Sequence, residues 1–120
     1  MVDDTPINVE IACSILEDEF DTDSACSGQE ALLKIKESDY HLILMDCLMP
    51  EMDGYDTTRA IRLWQTQNNK PDTPIIALTA SALSETKLKC SEAGMDDFVS
   101  KPFDTNKLIN LIKQKLLTSL

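Results

Sequence analysis

Asp3, Asp4, Asp46, Thr79 and Lys101 are the residues of this chain whose types, taken in order, could perform chemistry together. The acid pair precedes the first helical pattern. Asp46 closes the apolar run Leu42-Ile43-Leu44-Met45, Thr79 closes Pro74-Ile75-Ile76-Ala77-Leu78, and Lys101 follows Asp97-Phe98-Val99-Ser100. Three carboxylates brought together repel one another unless a hard cation such as Mg²⁺ neutralises them. An aspartate carboxylate can attack phosphorus to form an acyl phosphate, while Mg²⁺ and a lysine offset the gathered charge and a threonine hydroxyl donates to the transferring group. Alone, each residue has an ordinary structural role: a solvated acid pair, a turn-capping aspartate, a threonine bonded to backbone, a surface lysine. What points to chemistry is that they arrive in sequence at the ends of candidate strands.

The elements that must position them follow from apolar patterning. The unbroken runs before Asp46 and Thr79 predict strands buried on both faces of a parallel sheet, so both polar residues emerge at the same C-terminal edge. Weaker strands are expected over Phe20 to Ala25 and Asp97 to Ser100. Ser27-Gly28-Gln29-Glu30 is a capping box opening a helix over about 28–37. Further helices are expected from Pro6 to Glu19 with Thr5 as N-cap, from Gly54 to Thr66, from Ser84 to Ala93 ending at Gly94, and after Asp104 with Leu108, Ile112 and Leu116 on one face. Alternating strand and helix predict an α/β fold, a doubly wound parallel sheet with five helices on its two faces.

Composition narrows the partners. Twenty-one acids against eleven bases give a net charge of −10, which repels nucleic-acid phosphates and anionic lipid. No apolar run approaches the roughly 20 residues that cross a bilayer, and the acidic start is unlike a secretory signal. The expected compartment is the cytoplasm, with no membrane contact by this domain. Cys13, Cys26, Cys47 and Cys90 are too widely spaced for metal or redox motifs and are expected as buried reduced thiols. With no repeat or linker, and only a polar loop at Gln67 to Asp72, residues 1–120 are expected to form one domain.

The ordered motifs Asp3-Asp4, Leu44-Met45-Asp46-Cys47-Leu48-Met49-Pro50-Glu51-Met52-Asp53-Gly54, Pro74-Ile75-Ile76-Ala77-Leu78-Thr79-Ala80 and Ala93-Gly94-Met95-Asp96-Asp97-Phe98-Val99-Ser100-Lys101-Pro102-Phe103 give the chain a close likeness to a known family. It resembles the receiver domains of two-component response regulators and hybrid sensor histidine kinases over nearly its whole length. The resemblance implies a flavodoxin-like receiver fold, a parallel five-stranded sheet with five helices, in which Asp46 is phosphorylated from a phosphohistidine. Asp4 would bind Mg²⁺ directly, Asp3 directly or through water, and the Leu48 carbonyl would complete the metal's protein ligands. It further implies Thr79 as switch hydroxyl, Ala80 as a phosphate-binding amide, Lys101 as ionic partner, Phe98 as an aromatic that changes rotamer, and a cis peptide before Pro102. The implied partner is a histidine kinase or histidine phosphotransfer domain. The wording of Ile75 to Ala80 and Gly94 to Asp97 resembles the receivers attached to hybrid kinases, with a stand-alone response regulator as the alternative.

One departure from the family pattern concerns the first strand, because only Met1 and Val2 precede the acid pair. A strand that short leaves neighbouring backbone groups without ladder partners. The natural chain is therefore expected to extend further toward its N-terminus, or the domain to compensate by a partner contact, a homodimer or a strand-exchanged dimer. A haloacid-dehalogenase-type phosphatase would need a second acid two residues after the nucleophile, where this chain has Leu48. A degenerate receiver that acts only as a protein-binding module is the remaining alternative. No enzymatic activity is expected beyond the domain's own phosphorylation and dephosphorylation.

Overall fold

In the short runs Ile43–Asp46 and Ile75–Thr79 every residue is buried, and each run forms one strand of a parallel sheet. A computed structural model of the chain describes residues 1–2, 22–47, 53–79, 84–100 and 105–118. Among them, helix α1 spans Gly28–Glu37, strand β1 Ile43–Asp46, helix α2 Gly54–Gln67, strand β2 Ile75–Thr79, helix α3 Ser84–Ala93, strand β3 Asp97–Ser100 and helix α4 Thr105–Thr118. The alternation expected from the sequence is present, with boundaries within a residue or two. The expected helix from Pro6 to Glu19, with its Thr5 cap, and the Asp104 cap lie outside the described residues.

The strands run in the order β1-β2-β3, with Ile43 opposite Ile75 and Thr79 opposite Ser100. Val2 extends this sheet on the β1 side through parallel bridges to Met45 and to Ala25. The spatial order is therefore Ala25, Val2, β1, β2, β3. Chain order reverses at Val2, and the crevice at the strands' C-terminal ends opens where Val2 lies beside β1. The Val2 N–H donates to the Leu44 carbonyl at 2.8 Å, and its carbonyl accepts from the Asp46 N–H at 2.9 Å. Strand-like pairing over the predicted Phe20 to Ala25 segment narrows, among the described residues, to a single bridge at Ala25. The described partner segment is only Met1 and Val2: the Met1 ammonium donates to the Asp23 carbonyl at 3.0 Å and the Ala25 N–H to the Met1 carbonyl at 3.0 Å.

Period-2 alternation sends β1 and β2 into two cores. Met45, Cys47, Ile75 and Ala77 join Ala31 and Ile35 of α1, Ile61 of α2 and Cys90 of α3. Leu44, Ile76 and Leu78 join Leu108 and Ile112 of α4 on the other face. With the sheet sealed on both sides, a polar side chain on these strands has room only at an end.

The helices begin where the sequence places caps, with one shift. Ser27 Oγ accepts from the Glu30 N–H, but the Glu30 carboxylate returns to the Cys26 N–H instead of the Ser27 N–H. The reciprocal bond of the capping box thus lands one residue early. At the opposite edge of the sheet Arg62 of α2, only 15% exposed, pairs with Asp96 at 2.9 Å and donates to the Gly94 and Thr73 carbonyls. The same Asp96 carboxylate accepts from the Ile75 N–H at 2.8 Å. One guanidinium therefore fixes the starts of β2 and β3 relative to each other, through charge-assisted bonds of about 1.5–3 kcal/mol each.

Beside Val2, Asp23 accepts from Tyr40 Oη at 2.6 Å and from Lys34 Nζ at 2.9 Å. The Tyr40 bond, followed by the bonds from Lys34 and the Ser24 N–H, pulls the Asp23 carboxyl down to about 2. The same Asp23 bond, aided by burial, pushes the Tyr40 hydroxyl up to about 12. The signs are opposite. Stability from Asp23 is present above its ordinary value of 3.8 and is lost as pH falls toward about 2. Stability from Tyr40 is present below 10.0 and is lost as pH rises toward about 12. Tyr40→Phe is expected to make the drop in melting temperature between pH 4 and 2 shallower and to flatten the profile above pH 10. Thermal melts across pH check it, and a profile unchanged from the parent would show that the bond contributes nothing.

Candidate functional site

Asp46 stands at the C-terminal end of β1 and Thr79 at that of β2, only 7% and 6% exposed. The Cys47 N–H donates to the Leu78 carbonyl at 3.1 Å, which carries the β1–β2 ladder one step past Asp46. Asp46 is in phase with Leu44 and Leu78, whereas Thr79 is in phase with Ala77, so the two polar residues approach the edge from opposite faces. Ser100 is the register partner of Thr79 at the end of β3. Phe98, half-buried, is the partner of Ala77 and packs on the core that α1, α2 and α3 cover.

The structure thus brings Asp46 and Thr79 to one edge, with Phe98 on the neighbouring strand. Asp3, Asp4, Leu48, Ala80, Lys101 and Pro102 lie outside the described residues. Each of them except Asp4 and Pro102 is covalently next to a described residue of that edge: Val2, Cys47, Thr79 and Ser100. Among the described residues, no group of three or more His, Cys, Asp or Glu side chains is gathered as a metal site.

Helix α2 starts against the phosphorus-reactive candidate. Asp53 caps it, its carboxylate accepting from the Asp56 N–H at 2.9 Å, and the Gly54 N–H donates to the Cys47 carbonyl at 3.1 Å. A Cβ on Gly54 would sit 2.3 Å from the Asp46 carbonyl oxygen and 2.8 Å from Cys47 Cα. These are backbone atoms, so they cannot swing aside. Sequence reasoning assigned Gly54 no role; its signal is a glycine at the first position of a helix that any residue could open.

Behind Asp46 lies a second feature that the sequence did not disclose. The Cys47 thiol lies in one packed cluster with Cys90 and Tyr55. Burial pushes the Cys47 thiol up to about 12 and also raises the Tyr55 hydroxyl. Cys47 and Cys90 are buried reduced thiols, as expected, while Cys26 is exposed, contrary to expectation. Cys26 follows the Ala25 bridge and precedes the Ser27 cap, a solvent-facing turn that its apolar character alone did not reveal.

The comparisons with known proteins agree with this geometry. The family model described as the response regulator receiver domain matches residues 1–113, and the chain belongs to that family. It is 41% identical over 118 residues to hybrid signal transduction histidine kinase L of Dictyostelium discoideum, covering 95% of this chain and 7% of that protein. The chain spans 5–12% of the length of the first curated relatives it matches. The Ssk1 receiver domain of Saccharomyces cerevisiae, crystallised with the histidine phosphotransfer protein Ypd1, superposes with a TM-score of 0.89 at 32% identity, covering 98% of this chain and 87% of that one. The receiver domain of a sensor histidine kinase from Pseudomonas aeruginosa PAO1, described with a magnesium ion in its active-site cleft, gives 0.84 at 34% identity, covering 96% and 93%. These likenesses establish the flavodoxin-like receiver fold expected from the sequence. Among the described residues, no helix is long and apolar enough to cross a membrane.

Two outcomes are expected from this geometry. Gly54→Ala should destabilise the domain by about 1–3 kcal/mol through overpacking against the Asp46 and Cys47 backbone, read by melting temperature. In native protein at pH 8, a thiol reagent should label Cys26 and spare Cys47 until denaturant is added, as peptide mass mapping would reveal.

Proposed function

We propose that this domain is a phosphoryl-accepting switch of a two-component phosphorelay. Asp46 attacks the phosphorus of a phosphohistidine, so that the histidine N–P bond breaks as an aspartyl O–P bond forms. The observation that carries this reading is a carboxylate at the end of a strand sealed on both faces, in the crevice where chain order reverses. Such a carboxylate is held in place by its strand and open only toward the edge.

The neighbours of that edge support the remaining roles. Val2 is hydrogen-bonded between Leu44 and Asp46, and Asp3 follows it directly in the chain. Asp3, Asp4, Asp46 and the Leu48 carbonyl would supply the oxygen ligands that Mg²⁺ prefers, Asp3 directly or through water. Mg²⁺ bound there would neutralise charge on the transferring phosphoryl group. Lys101 follows Ser100, the register partner of Thr79, and pairs with the phosphoryl oxygens while Thr79 Oγ1 and the Ala80 amide donate to them. A cis peptide before Pro102 belongs to the same proposal. A phosphoryl group adds roughly −1.5 to −2 charge and three acceptor oxygens. Thr79 moves toward it, Phe98 turns into the space released, and the face formed by α3 and β3 changes.

The relatives favour a place in a hybrid histidine kinase with a histidine phosphotransfer domain as partner; the proposal adds a cytoplasmic location and residues 1–120 acting as one unit. The test is intact-protein mass spectrometry after treatment with acetyl phosphate and Mg²⁺, alongside Asp46→Asn and a chelator control. One phosphoryl-sized gain is expected in the parent, none in the variant and none in the chelator. No gain in the parent, or an equal gain in the variant, would overturn the assignment.

A further inference from the structure

An exposed lysine of α3 sits over the aromatic ring of β3: Lys87 Nζ lies 5.1 Å from the centroid of Phe98. That distance is within the range at which the ring's quadrupole attracts a cation. The ring is half-buried and the ammonium is exposed, so the contact spans the seam between helix and strand on the outer side. Among the described residues the seam has few other buried fastenings. Among the described side chains of α3 only Cys90 and Ala93 are buried, both near its C-terminal end, and Leu88 is 60% exposed. The first half of α3 therefore depends on Lys87 more than a helix with a continuous apolar face would.

We propose that Lys87 is a positioning residue that holds Phe98 in its outer place and so biases the domain against the rearrangement that phosphorylation drives. This rests on the switch described under Proposed function and adds to it a residue that opposes switching. An inward turn of the ring toward the space beside Thr79 carries its face away from an ammonium anchored on the exposed side of α3. The attraction exists in the outer arrangement and is lost in the inner one. A contact that favours one of two states shifts their ratio by its own free energy, and an exposed contact of this type is worth about two- to fivefold. Phosphorylation must overcome the same factor.

The test is the position of the Phe98 amide and ring signals in NMR spectra, before and after phosphorylation by acetyl phosphate, with Asp46 modification followed by mass. Lys87→Met removes the charge but keeps an unbranched stem and good helix propensity. Lys87→Arg keeps a cation over the ring, and Lys89→Met removes a neighbouring exposed charge that does not face Phe98. Lys87→Met is expected to move the unphosphorylated Phe98 signals along the line toward the phosphorylated position, with a two- to fivefold rise in the rearranged fraction. Lys87→Arg and Lys89→Met should stay with the parent. A parent that responds to phosphorylation beside a Lys87→Met protein whose signals do not move would overturn the positioning role alone. An equal shift in Lys89→Met would also overturn it, as an effect of net charge. Phosphorylation of Asp46 with no response at Phe98 in the parent would overturn both this role and the switch on which it rests.

Discussion

The constraint on which everything else depends is that β1 and β2 are covered on both faces. Met45, Ile75, Ile76, Ala77 and Leu78 are wholly excluded from solvent, and none of them could be polar without an unpaired group in one of the two cores. A carboxylate on such a strand has one place to stand, the last residue, where the ladder ends and the crevice begins. Asp46 and Thr79 occupy that place on adjacent strands. Their burial would be costly for isolated groups, and neither is without a partner.

Holding that edge steady is the task of residues far from it. Arg62 and Asp96 lie at the opposite end of the sheet, where they join α2 to the starts of β2 and β3. Fixing the start of a short strand fixes its end, since each strand is only four or five residues long. On the other side, Val2 bonds to both Leu44 and Asp46, and the start of α2 presses its glycine onto the Asp46 carbonyl. The phosphoryl-accepting candidate is thus pinned through its backbone from three directions while its side chain faces the crevice.

Much of this was legible in the sequence because it rests on local patterns. Unbroken apolar runs identify β1 and β2, Ser27 and Gly94 mark helix ends, and an acid after a buried run identifies the edge. Gly94 adopts φ 102°, the left-handed conformation that a helix-ending glycine permits. Features that depend on distant pairs were not legible. The Arg62 to Asp96 pair, the meeting of Cys47 with Cys90, and Lys87 over Phe98 join residues 34, 43 and 11 positions apart. No periodicity encodes such meetings. The capping box shows the same limit on a smaller scale, because Ser-x-x-Glu specifies that two bonds form without specifying which N–H the glutamate reaches. The strand expected over Phe20 to Ala25 from its place between two helices pairs, among the described residues, only at Ala25, because its extent depends on a distant partner, Met1 and Val2.

Burial also gives the domain a direction. It is complete along β1 and β2, falls to intermediate at every residue of β3, and is thin along α3. Displacing β1 or β2 would disturb two cores at once, and close-packed interiors resist such movement. Displacing β3 and α3 disturbs fewer buried contacts, and regions with few buried contacts open at lower free energy. Under the proposed phosphorylation, a charge arriving at Asp46 would therefore find its least costly response on the β3 side. Thr79 is the last residue of the rigid strand that borders it, and Phe98 is the largest side chain on the softer one. The same gradient explains why a weak contact such as Lys87 over Phe98 can matter there, since an interaction worth severalfold in population is negligible against a sealed core and decisive in a seam that little else holds.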